Sequence, residues 1–180
     1  MRNARIIQAV GLLTAGLVLI LSGTVHAGTI VKDDNSTDLN VGSSWVGGTV
    51  PGSGDVAQWD ATTVSSQTLV LGGDLSWQGI NFLDGVGGSV TINTGNTLTL
   101  GSGGIYNTAN ISFNIKPAIV LSADQTWHNT TGFFELGSGT LGIDTAGHTF
   151  TLTGGGPKKF NTSVTGGGDI IVMDGTAQFY

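Results

Sequence analysis

The chain has 180 residues, with 12 acidic against six basic side chains and a formal net charge of −6. It has no cysteine, which excludes disulfide stapling, thiolate zinc sites, thiol redox chemistry and cysteine nucleophiles. The acidic balance argues against a nucleic-acid partner, because that binding depends on Lys and Arg neutralising phosphates.

Residues 1–27 read as a signal peptide. Arg2 and Arg5 form a positive start, Ile6 to Leu21 is mostly apolar, and Val25-His26-Ala27 offers a cleavage site. The apolar run of about 16 residues is shorter than the roughly 20 a spanning helix needs. No later segment is apolar enough to span as a helix. Removal would leave residues 28–180, with four lysines against 12 acidic residues, no arginine and a formal charge of −8. That length supports one domain with a sizeable core. The expected address is therefore outside the cytoplasm: secreted, periplasmic or at the cell surface.

Residues 28–63 form a distinct N-terminal cap segment. Lys32 to Asp38 is polar and turn-like, Pro51-Gly52 is a strong turn signal, and Val56 to Trp59 suits one short strand. A stack of coils needs such a cover over its first open edge.

Residues 64–180 are regular. Strands are expected at Thr68–Leu71, Ser76–Phe82, Ser89–Ile92, Thr97–Leu100, Ala118–Leu121, Thr140–Ile143, His148–Leu152 and Asp169–Met173. Each alternates apolar residues with Thr, Ser or other polar ones, the two-residue period of a half-buried strand. Glycine clusters at 72–73, 87–88, 101–104, 137–139, 154–156 and 166–168 mark the expected corners.

Two stretches match at an offset of 50 residues. Leu69 to Gln78 answers Ile119 to His128, with Asp74 aligned to Asp124 and Trp77 to Trp127. Val90 to Gly101 answers Gly142 to Thr153, with a slightly longer offset. Repeats of this kind point to stacked β-structure. Read as two coils of about 25 residues each, they predict about four to five coils at the ~4.8 Å strand spacing. The expected fold is all-β: a right-handed parallel β-helix (solenoid) with an N-terminal cap, the alternative being a β-sandwich or β-roll.

The segment Trp45 to Asp60, with Pro51-Gly-Ser-Gly-Asp55 and the aromatic-acid pair Trp59-Asp60, resembles the opening of autotransporter-associated β-strand repeat proteins. Leu69 to Ile80 and the Thr-Gly-Asn-Thr-Leu-Thr-Leu run at 94–100 add to it, so the resemblance covers about residues 43–156. It implies an exported passenger-type β-helix. Family members usually continue through more repeats to a translocator barrel. Residues 64–180 hold no series of eight lipid-facing strands, so the chain reads as an N-terminal portion with an incomplete last coil.

The residues that could carry chemistry are few. Asp74, Asp124 and Asp144 are the carboxylates that stacking could bring together for glycoside chemistry, and each sits in a turn where Asp commonly serves the backbone. His128 and His148 read as exposed repeat positions. No Gly-x-Ser-x-Gly elbow supports a serine nucleophile. Asp33 to Asp38 is oxygen-rich but lacks the Gly and distal Glu of an EF-hand loop, and Gly166 to Asp169 lacks a repeated calcium-turn pattern. Of the four tryptophans, Trp45, Trp59, Trp77 and Trp127, the pair Trp77 and Trp127 shares one repeat position and reads as a stacked core ladder; the competing reading is an aromatic platform on a sugar-binding face. Lys158-Lys159 reads as a solvated corner. The expectation is a non-enzymatic structural or adhesin-like segment with no catalytic residue, cofactor or metal. Its partners are at most a surface or polysaccharide ligand, or a second copy meeting its open strand edge. The alternative is a carbohydrate-binding or carbohydrate-processing β-helix module.

Overall fold

The computed structural model describes residues 28–136 and 142–180. The expected signal segment 1–27, the corner at 137–139 and the start of the strand expected at Thr140–Ile143 lie outside them. The described residues form sixteen strands, one 3-10 turn at Gly42–Ser44 and no α-helix.

The strands are β1 (Thr29–Val31), β2 (Val56–Trp59), β3 (Gln67–Leu69), β4 (Leu75–Phe82), β5 (Val90–Ile92), β6 (Thr97–Asn107), β7 (Ser112–Ile115) and β8 (Ala118–Leu121). They continue as β9 (Gln125–Asn129), β10 (Phe133–Leu136), β11 (Ile143–Asp144), β12 (Phe150–Thr153), β13 (Lys158–Phe160), β14 (Val164–Thr165), β15 (Ile170–Val172) and β16 (Ala177–Phe179). Every pairing between them is parallel, and together they make a β-solenoid of about six turns. This is the stacked-coil architecture expected from the alternation, in place of a sandwich.

The coil has three faces. β4 and β6 each run around a corner, with a register irregularity between Trp77 and Gly79. The first face holds the starts of β4 and β6, then β8, β11 and β14. The second holds β1, β2, the ends of β4 and β6, then β9, β12 and β15. The third is the separate six-stranded sheet β3-β5-β7-β10-β13-β16. A residue finds its neighbour about 23 positions on, as Val56 does at Gly79 and Gln67 at Val90.

Burial follows the alternation. In β8 Ile119 and Leu121 are buried while Ala118 and Val120 are half-exposed. Inward residues stack on their equivalents in the next coil. Trp59 lies 5.0 Å from Phe82, and Phe113 lies 4.4 Å from Phe134, with rings inclined by 29° and 24°. These separations match the strand spacing, so each coil buries its aromatic rings on the next.

Gly101-Ser-Gly-Gly104, expected as a corner, lies inside β6. There the strand bends from the first face to the second, as expected of a corner, and the glycines also allow a close approach. A Cβ on Gly79 would sit 2.8 Å from the Gly103 carbonyl carbon, and one on Gly103 would sit 2.7 Å from the Gln78 oxygen. Two backbones pass here without side chains between them.

The shared position expected for Trp77 and Trp127 is not found. Trp77 stacks with Leu100 and then Leu121 on the first face, whereas Trp127 follows Ile80 and Ile105 on the second. Two coils beyond Trp77 is Leu121, only 44 residues on. The 50-residue match therefore reflects a corner carboxylate followed by an inward tryptophan, used once on each face. With coils nearer 23 residues than 25, and with β1 and β2 already paired into the sheet within residues 28–63, the stack has about six turns rather than four to five.

Candidate functional site

Each candidate carboxylate serves the backbone of a corner. An Asp74 oxygen accepts from the Thr97 amide at 2.7 Å, and an Asp124 oxygen from the Thr149 amide at 2.9 Å. In both cases the acceptor belongs to one coil and the donor to the next. Asp144 accepts from the Ala146 amide at 2.9 Å, across a turn whose Ala146 has φ of 48°. The first two bonds satisfy amides at strand starts and stitch neighbouring coils, and the Asp144 bond closes a turn within one coil.

Asp124 is the one that also meets a histidine. Its carboxylate lies 3.5 Å from His148 Nδ1, at a site open to solvent on both sides. Beside it is a surface depression of about 320 Å3 lined by Ser102, Asp124, Gln125, Thr126, Thr149 and Thr151. Ser102 Oγ accepts from Gln78 Nε2 at 2.7 Å. This depression can offer hydroxyl and carboxylate hydrogen bonds. It has no aromatic wall.

His128 lies farther along the outward side of β9. Its ring stacks on Tyr106 of the preceding coil at 5.1 Å and 16°. Its two nitrogens bond Thr153 Oγ1 and Thr130 Oγ1, each at 2.9 Å. Both nitrogens are thus engaged, and one ring face is covered by tyrosine.

The acidic loop at residues 33–38 works as a clasp. Asp34 accepts from the amide and hydroxyl of Ser65, and Asn35 Nδ2 donates to the Ser43 carbonyl. The Lys32 ammonium beneath it is fully buried and donates to Asp33 O, Asn35 O and Asn35 Oδ1, each at 2.9 Å. Burial pushes this lysine down to about 8, with Asp33 and Asp34 opposing the shift. At Gly166 to Asp169, the Gly168 amide donates to Thr145 Oγ1, again joining coils. Among the described residues, no group of three or more His, Asp or Glu side chains could hold a metal ion.

Lys158 is not a solvated corner. The alternation of β13 turns it inward beside Phe160, and it is 1% exposed, with its ammonium donating to the carbonyls of Gly154 and Gly156. Burial lowers its pKa and Asp174 opposes this. Only Lys159 faces outward, 3.6 Å from Glu135 and 5.3 Å from the Tyr180 ring centre. Two adjacent lysines in a strand must point to opposite faces, a signal available in sequence once the strand was located.

All four tryptophans are in the core, at 2% exposure or less. The indole N–H groups of Trp45, Trp59 and Trp127 donate to Leu39 O, Gln67 Oε1 and Gln125 Oε1. Sequence reasoning missed two outward ladders: Tyr106–His128, and the third-face row in which Asn114 and Asn161 both donate to Glu135. Their members lie 21 to 26 residues apart, and only the coil register brings them together.

No helix among the described residues is long and apolar enough to cross a membrane. Comparison with known proteins finds no matching family model, no similar curated protein and no similar solved structure.

Proposed function

We propose that the chain is an exported, non-enzymatic structural or adhesin-like segment of a bacterial surface protein, as its resemblance to autotransporter-associated repeat passengers implies. The observation that carries this reading is the burial of all four tryptophans. The outward faces are left mainly to short polar side chains, and the corner carboxylates are bound to backbone amides. Continuous parallel ladders supply rigidity and resistance to proteolysis, the properties a surface passenger needs. The test is tryptophan emission and acrylamide quenching during titration with a panel of polysaccharides. Blue-shifted, poorly quenched emission that the glycans leave unchanged, with no release of shorter sugars, is the expected result. Saturable quenching or sugar release would overturn it.

One observation favours a second reading, a carbohydrate-binding module. The polar depression at Asp124 and the exposed Tyr106 share one outward face of the solenoid. Glycan binding that is lost in Tyr106→Ala, with the fold intact, would select this reading over the first.

A further inference from the structure

Lys32 and Lys158 are both buried, and their surroundings differ in chemical kind. The Lys158 ammonium meets backbone carbonyls, those of Gly154 and Gly156. Lys32 also faces a side-chain carboxamide, its Nζ lying 2.9 Å from Asn35 Oδ1. The partners of that carboxamide fix which way it points. Oδ1 accepts from the Thr37 amide at 3.2 Å and from the Thr37 hydroxyl at 2.7 Å. Nδ2 donates to the Ser43 carbonyl at 2.8 Å and, at 3.5 Å, to Asp33 Oδ2.

The parts that amide exchange needs therefore lie together within residues 32–37. The nucleophile is the lysine amine, desolvated by its burial. Two Thr37 donors already sit on Oδ1, where negative charge develops when the carbonyl carbon is attacked. The Asp33 carboxylate stands beside Nδ2, the group that must leave, and can carry a proton to it. The charged groups acting on the amine are Asp33 and Asp34, both of its own loop. The elements packed against this loop present neutral partners: Gln58 through its carbonyl, Trp45 across the bridge, and Gln67, which donates to Asp33 O. Burial outweighs both carboxylates and brings the lysine to about 8, so mildly alkaline solution supplies the neutral amine.

We propose that Lys32 and Asn35 close an intramolecular amide bond between their side chains. The lysine's flexible four-carbon stem lifts the amine from the edge of the carboxamide onto the face of Cγ. The Nζ–Cγ bond forms as the carbonyl electron pair moves onto Oδ1, held there by the two Thr37 donors. Asp33 takes the proton released at Nζ and returns it to Nδ2. The Cγ–Nδ2 bond then breaks, the carbonyl re-forms and ammonia leaves. One amine and one primary amide give one secondary amide and one ammonia, with no change of oxidation state. Asp33 is exposed, so the ammonia escapes to solvent and closure is one-way. The product puts a neutral group where a buried charge stood, which removes a desolvation cost. It also staples the clasp covalently in a chain that has no cysteine for a disulfide. At neutral pH most of Lys32 is ammonium, so freshly folded chain carries the free lysine and closes slowly.

Intact mass spectrometry of the full chain reads the reaction directly. Incubation at pH 9 should lower the mass by one ammonia, at least tenfold faster than incubation at pH 6.5. After denaturation and digestion, trypsin should no longer cut after Lys32, and fragment spectra should show Lys32 joined to Asn35. Cleavage at Lys158-Lys159 should persist. Asp33→Asn should slow closure about tenfold or more at pH 9, with far-UV circular dichroism unchanged. Lys32→Met and Asn35→Ala should each keep their full mass. A succinimide at Asn35-Ser36 also releases ammonia, but it leaves Lys32 open to trypsin and forms in Lys32→Met as well. An unchanged mass at pH 9 in the folded chain, continued cleavage after Lys32, or the same loss of ammonia in Lys32→Met would each overturn the proposal. The digest of the unaltered chain decides even where a variant fails to fold.

Discussion

The first and last coils use the same strand alternation but differ in what lies over them. At the N-terminal end, Trp45 meets Trp59 and Trp77 edge-on, each at 5.8 Å between ring centres. A buried lysine is held there by three oxygen acceptors. At the other end Phe179 stacks on Phe160 at 4.7 Å, but its far side is open. A solenoid's coils are held by their neighbours, so a covered coil has contacts on two sides and the last has contacts on one. Stability is therefore expected to fall along the stack toward residue 180.

The largest effect should come from removing the cover. Trp45→Ala takes a buried indole from the junction of three tryptophans and should lower unfolding free energy by about 3–5 kcal/mol in urea titrations. Phe179→Ala, half exposed already, should cost about 1 kcal/mol. Equal losses at the two sites would remove the contrast between the ends.

Lys32 sharpens the same contrast through pH. Its pKa is near 8 in the folded chain and 10.5 in its ordinary state. Between these values the unfolded chain binds more protons, so stability rises with pH across that window. Below pH 8 both states are protonated and the burial penalty stands in full. Relief of that penalty is worth up to about 3 kcal/mol. Urea unfolding at pH 7.5 and 9.5 should show the rise, and Lys32→Met should flatten it. A slope that survives the substitution would place the titration elsewhere; Lys158, shifted in the same direction, is the next residue to replace.

Amide exchange should follow the gradient without any mutation. Amides of β15 and β16 should exchange at least tenfold faster than those of β2 and the end of β4. Uniform protection would mean that the stack opens as one unit.

The smallest predicted difference separates two tryptophans. Trp127 donates to Gln125 at 2.7 Å, whereas the Trp77 indole N–H is buried without an acceptor. Trp127→Phe leaves the glutamine oxygen unpaired and should cost about 1 kcal/mol more than Trp77→Phe, apart from the similar loss of ring volume. Reversal of that order in thermal unfolding would show that packing outweighs the hydrogen bond.

Legibility in the sequence followed side-chain contrast. Val56 to Trp59 and Ala118 to Leu121 were readable as strands because apolar residues alternate with less buried ones. β13 was hidden because its inward side chain at 158 is a lysine, which reads as solvent-facing until the backbone cage around its ammonium is seen. The latter half of β6 was hidden because the chain stays extended through its glycine corner instead of breaking there. The candidate site was less legible still. Asp124 could be named, but its His148 neighbour and the threonines of the depression come from different coils.

By itself the sequence determined an all-β chain with a two-residue period, no sulfur chemistry, few cations and turn carboxylates at strand starts. Each of these is a local property, fixed by residue type and by spacing of a few positions. Only the tertiary structure decided which face each tryptophan occupies, that Lys158 is buried, that Tyr106 meets His128 and that one end is covered while the other is open. Those outcomes depend on the length of each coil. One added or lost residue shifts every later side chain along the stack, so a local pattern can persist while its neighbours change.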